Sequence, residues 1–69
     1  MQIPFHNLDV EMTKKKVSRN DLSEALNLSY QSVHHKLHGR IEFTRKEMVA
    51  IKERLGTDLT LDELFKKED

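Results

Sequence analysis

The sequence contains no cysteine, which excludes a disulfide framework and any thiolate metal site. No apolar run approaches the ~18 residues that cross a bilayer. The opening MQIPFHNLDV has neither the charged nor the apolar region of a signal peptide. A reduced, cytoplasmic compartment with no membrane partner is the expectation. Net charge is absent too, since 12 basic residues balance 12 acidic ones, and by itself this speaks against a nucleic-acid partner. There is no linker, low-complexity tract or internal repeat, and no stretch competes as a strand. With 69 residues the chain allows one domain, 1–69. Its folding buries only about 60% of the unfolded surface, so the core is small.

Charge is unevenly placed. Lys14, Lys15, Lys16 and Arg19 form a positive block with no acid among them, and Lys36 and Arg40 lie beside His34, His35 and His38. From Gly56 onward Asp58, Asp62, Glu63, Glu68 and Asp69 outnumber Lys66 and Lys67. A neutral total can hide a basic face and an acidic end.

What the sequence has in quantity is helix punctuation. An N-cap is usually Ser, Thr, Asp or Asn, because the side-chain oxygen accepts from an otherwise unpaired backbone N–H. The residue before the cap often packs on the residue four into the helix. Val17–Ser18 precedes Leu22, Leu28–Ser29 precedes Val33, Phe43–Thr44 precedes Met48, and Leu59–Thr60 precedes Leu64. Thr44 with Glu47 and Thr60 with Glu63 complete a capping box, and Ser18 with Asp21 is a shorter version. Asn27, Gly39 and Gly56 stand where helices should stop, being residues that accept the left-handed conformation. Pro4 suits a first helical turn, Asp9 and Glu11 suit that helix's positive end, and Lys14 to Lys16 its negative end.

These signals predict an all-α chain with helices at about 5–15, 19–26, 30–38, 45–55 and 61–67. The expected core is Phe5, Leu8, Met12, Val17, Leu22, Ala25, Leu26, Leu28, Val33, Leu37, Phe43, Met48, Ile51, Leu55, Leu61, Leu64 and Phe65. Ile41, Val49 and Leu59 are the apolar residues expected on the surface.

The stretch from Val17 to Gly39, VSRNDLSEALNLSYQSVHHKLHG, organises the rest. Its second segment has apolar residues only at Val33 and Leu37, one narrow stripe on a helix. At about 100° per residue, Gln31 and His35 lie nearly opposite that stripe, with His38 close by and His34 and Ser32 on the flanks. Outward amides and imidazoles suit the edges of DNA bases.

Arg19 to Leu37 resembles the helix-turn-helix of the phage repressor and Cro-type (XRE-like) family of DNA-binding proteins. The order is the family's: apolar Leu22, small Ser23, apolar Leu26, turn residue Asn27, apolar Leu28, then Val33 inside the second helix. The downstream HGRIEFTRKEMVAIKERLG is similar to the family's following turn and fourth helix. The chain departs at Ser23, where the family usually has Ala, at Asn27, where it usually has Gly, and at Lys36, which is often apolar. The resemblance implies a compact five-helix, lambda-repressor-like domain with a central helix-turn-helix at about 19–38.

It also implies roles. The family's base-reading positions fall on Tyr30, Gln31 and His35, and His34 on the flank joins them as a candidate. Gln31 can pair bidentately with adenine N6 and N7, and His35 can donate to guanine N7 or O6. Tyr30 either touches a thymine methyl or phosphate or packs partly on the core. Arg19, Asn20, Ser32, His38, Arg40, Thr44 and Arg45 are the expected phosphate contacts, grouped around helix starts. Their ordinary alternative is a solvated polar surface. Titration of histidine near ~6.5 predicts tighter, less selective DNA binding as pH falls from ~7.5 to ~6.

Three function classes compete. A sequence-specific regulator, repressor or Cro-like, would use double-stranded DNA as partner, with a homodimer on a near-palindromic operator. A protein-interaction module on the same fold, antitoxin-like or antirepressor-like, is favoured by the zero net charge and the acidic end. An enzyme is not expected, because no converging acid, base and nucleophile is apparent, and neither is a small-molecule substrate or a cofactor. His34 and His38 have a spacing that can hold zinc or nickel, but no third ligand accompanies them, so no metal site is expected.

Overall fold

A computed structural model describes residues 3–67. Among the described residues the fold is all-α: α1 (His6–Lys15), α2 (Arg19–Leu26), α3 (Tyr30–Leu37), α4 (Arg45–Leu55) and α5 (Leu61–Leu64). Each helix from α2 onward starts where a cap and staple stand in the sequence. Ser18, Ser29, Thr44 and Thr60 are extended at the cap and accept from the N–H of Asp21, Ser32, Glu47 and Glu63. Asp21, Glu47 and Glu63 each bond back to the cap N–H, so α2, α4 and α5 have full capping boxes. Asn27 (φ 55), Gly39 (φ 78) and Gly56 (φ 65) take the left-handed conformation expected at the stops. Lys16 (φ 56) does the same after α1, a stop no residue type signalled.

Helix ends differ from expectation at α1 and α5. Pro4 lies before α1, whose N-cap is Phe5. Glu11 is therefore beyond the first turn and is buried rather than serving the helix dipole. α5 is a single turn, because Phe65 leaves the helical conformation (φ −104, ψ 21) while its ring meets Phe5 and Phe43 edge to face. The expected Glu68 and Asp69 lie outside the described residues.

Leu8, Leu22, Val33, Leu37, Ile51 and Leu64 are wholly buried and form the centre of the core. Burying each such side chain is worth about 1.5–3 kcal/mol, so these few residues carry much of the fold. Ile3 also enters the core, although no pattern marked it. Ala25 is exposed instead of buried, and Leu59, expected outside, packs against the core. Lys52 explains Leu59: its Nζ donates to the carbonyls of Thr57 (2.9 Å) and Leu59 (2.8 Å), drawing the α4–α5 connection inward. α3 packs on α2, whereas α4 packs on α1, α2 and α5.

Candidate nucleic-acid interface

The narrow apolar stripe of α3 has the consequence its sequence implies. Val33 and Leu37 are buried, and the N-terminal turn stands clear of the core. Tyr30 is 49% exposed, which decides against a core role for its ring. Gln31 is exposed, and Ser32, His34 and His35 are half-buried. Arg19, Ser29, Tyr30, Gln31 and His34 line one open groove between the starts of α2 and α3.

Polar contacts inside this face fix several donors. Ser29 Oγ accepts from the Ser32 N–H (3.1 Å) and donates to Ser32 Oγ (3.0 Å), so the Ser32 hydroxyl proton remains directed elsewhere. Arg19 Nη1 lies 3.4 Å from His34 Nδ1. A guanidinium only donates, so this contact requires a lone pair on Nδ1 and leaves the imidazole proton on Nε2. His34 in that state carries its one donor at Nε2. Arg19 thus has a protein partner as well as a place at the groove.

His38 departs from its expected outward position. It ends α3 as the C-cap, and its ring sits 4.4 Å centroid to centroid from that of His34. Nε2 is shut off from solvent with no hydrogen-bond partner. Burial holds its pKa below the usual 6.5, reinforced by His34, Arg19 and Arg40. His38 therefore takes up a proton less readily than an ordinary histidine. Among the described residues no group of three or more His, Cys, Asp or Glu side chains could hold a metal.

The remaining phosphate candidates divide by exposure. Asn20, Arg40, Thr44 and Arg45 are exposed, Arg19 half-buried. Thr44 Oγ1 accepts from the Glu47 N–H (3.2 Å), which leaves its hydroxyl proton available. The start of α3 carries no acidic residue in its first turn, whereas α1, α2, α4 and α5 each carry at least one. Its positive dipole end is left facing outward without a carboxylate to neutralise it.

The residues the sequence reading missed are those whose partners lie far along the chain. Lys36, in an ordinarily apolar slot, is buried and bonds to Glu47 and to the Glu42 carbonyl. A charge on the inner side of a helix is itself a signal that a partner must exist, but it does not say which. Glu11 is likewise buried. Its carboxyl is held below the usual range first by a hydrogen bond from Thr57, against burial, and then by Lys14.

A short helix packed on its predecessor, joined through a left-handed Asn27 and offering its first turn outward, defines a helix-turn-helix protein. A family model described as the Cro/C1-type HTH DNA-binding domain matches residues 7–68, and the chain belongs to that family. No curated protein and no solved structure matches it. No helix among the described residues is long and apolar enough to cross a membrane.

Proposed function

We propose that the protein is a sequence-specific, double-stranded DNA-binding regulator of transcription, of the phage or prophage repressor or Cro type. The observation that carries this reading is the first turn of α3, where Tyr30 and Gln31 are exposed beside Arg19 and no acid is present. In the major groove, Gln31 pairs with adenine and His35 donates to guanine. His34, through Nε2–H, favours an acceptor such as guanine O6 or N7, and Tyr30 meets a thymine methyl or a phosphate. Arg19, Asn20, Ser32, Arg40, Thr44 and Arg45 hold the backbone without reading sequence. His38 is left out, because its Nε2 faces the protein.

One short helix reads only a few base pairs, so a homodimer on a near-palindromic operator with half-sites ~34 Å apart supplies the rest of the specificity. The exposed Ile41 (48%) and Val49 (38%) are candidates for the contact between subunits.

A protein-interaction module is the second reading, favoured by the formal net charge of zero. Salt separates the two. Titration of duplex binding from 50 to 200 mM salt should show log affinity falling by about 0.9 per phosphate neutralised. A binding curve flat in salt, or no duplex binding by folded protein, would favour a polypeptide partner.

A further inference from the structure

α3 carries a buried lysine on the side away from the groove. Lys36 is 8% exposed, and its Nζ donates to the Glu42 carbonyl (3.1 Å) and to Glu47 Oε1 (2.9 Å). The same oxygen accepts from the Thr44 N–H (2.9 Å). One carboxylate therefore closes the capping box of α4 and anchors the last turn of α3. Burial pushes the Glu47 carboxyl up, but the Thr44 N–H and then Lys36 outweigh it, so the group lies below its usual 4.5 and is ionised at neutral pH.

This contact joins two helices whose backbones do not approach each other closely, although both contribute to the one core. No Cα of α3 lies within 8 Å of a Cα of α4, and the helix that α3 packs on is α2. Val33 and Leu37 hold α3 along one side by apolar contact, which is strong but not directional. A helix held along one stripe is free to tilt about it. Lys36 supplies a directional bond on the flank of that stripe, tied to the segment that carries Thr44 and Arg45. Buried ion pairs add little net stability, and their best-supported use is to choose one arrangement among several. Base readout needs such a choice, because donor and acceptor must meet within roughly 0.5 Å and 10–20°.

We propose that Lys36 is a positioning residue for sequence discrimination, joining α3 to Glu42 and Glu47 and so fixing the tilt of the base-facing helix against the phosphate-facing start of α4. The proposal rests on the DNA-binding reading given above. Lys36 touches no DNA in it and acts through the orientation of Gln31 and His35.

The test compares wild type with Lys36→Met, Glu47→Gln and the double variant. Met fills the same space without the charge, and Gln keeps the capping acceptor while removing the ion pair. The first readout needs no DNA: residual dipolar couplings of backbone N–H groups give the orientation of α3 relative to α4. The second is the ratio of affinities for a selected duplex and a scrambled one, with the salt slope of each. In folded variants α3 should turn by more than ~10°. The affinity ratio should fall ~10-fold or more, the size of one lost base discrimination. Affinity for the scrambled duplex and the salt slope should stay as in wild type, and the double variant should be no worse than either single one. If Lys36→Met does not fold, Glu47→Gln carries the same comparison.

An unchanged α3 orientation overturns the proposal whatever the DNA does. So does loss of affinity for both duplexes with a shallower salt slope, which would make Lys36 a phosphate contact. A wild type that prefers no duplex refutes the regulator reading instead, and the orientation of α3 alone then decides whether Lys36 positions it.

Discussion

α3 and its neighbours begin in the same way and are finished differently. At α2, α4 and α5 the cap hydroxyl is answered by an acid three residues on: Ser18 by Asp21, Thr44 by Glu47, Thr60 by Glu63. At α3 the cap Ser29 is answered by Ser32, whose oxygen accepts from Ser29 Oγ at 3.0 Å. The acids complement the helix dipole and satisfy a second backbone donor. In α3 that stabilisation is forgone, and the exposed N–H groups and partial positive charge remain for a ligand. A carboxylate there would face the phosphates of a duplex. On the proposed reading, the difference separates helices whose ends serve the fold from the one whose end is left open to a polyanion.

Completing the missing box is the most severe way to test that contrast. Ser32→Glu should leave the melting temperature unchanged or raise it, since it supplies an acid at the third position of the helix. Duplex affinity should fall ~100-fold or more, because like charges brought together across an interface cost several kcal/mol. A calorimetric melt and a fluorescence titration on one sample measure both effects. Retained duplex affinity with a correctly folded variant would remove α3 from the interface.

Gln31→Ala is milder and affects reading rather than charge. It should lose about 1–3 kcal/mol of discrimination at one base position per half-site, with stability within the range of an ordinary surface change. At the other pole of the comparison, Thr60→Ala should cost about 1 kcal/mol of stability, seen in urea melts, and leave duplex affinity unaltered. A loss of DNA binding in that variant, with the fold intact, would blur the distinction between the two kinds of helix end.

Acid sharpens it further. Asp21, Glu47 and Glu63 all have carboxyl groups lowered in the folded chain. The backbone bond to Ser18 leads for Asp21 and that to Thr60 for Glu63; for Glu47 burial opposes a net lowering by Thr44 and Lys36. Because the folded values lie below the usual 3.8 and 4.5, their contribution is present above those values and is lost as pH falls through the folded ones. Glu63→Gln should flatten that acid limb in melts recorded from pH 5 downward. His38 contributes in the same direction at higher pH. Its folded pKa lies below 6.5, so the unfolded chain takes the proton first and stability falls as pH drops below that value. His38→Gln should remove this smallest component, so that melting temperature falls less steeply below pH 6.5 than in wild type.

Much of this organisation is legible in the chain because it is local. A cap, its staple and its stop lie within one helix length, so Ser18, Ser29, Thr44 and Thr60 marked four helix starts correctly and Asn27, Gly39 and Gly56 marked three stops. The open first turn of α3 follows from the spacing of Val33 and Leu37 alone. What is not local was not legible. Lys36 reads as a surface charge until Glu47 is placed beside it, and Glu11 reads as a dipole partner until Thr57 is. His38 lies on the outward side of an ideal wheel, but the chain leaves the helix at that residue and carries its Nε2 inward. Ile3 belongs to no periodic segment, and Ala25 is too small for its place on the wheel to predict burial.

The most direct measurement is selection from a random-sequence duplex pool at moderate salt, run in parallel on wild type and Gln31→Ala. The expected result is an enriched site with two-fold symmetry, relaxed at one position in each half-site by the substitution. No enrichment by the folded wild-type protein would contradict it.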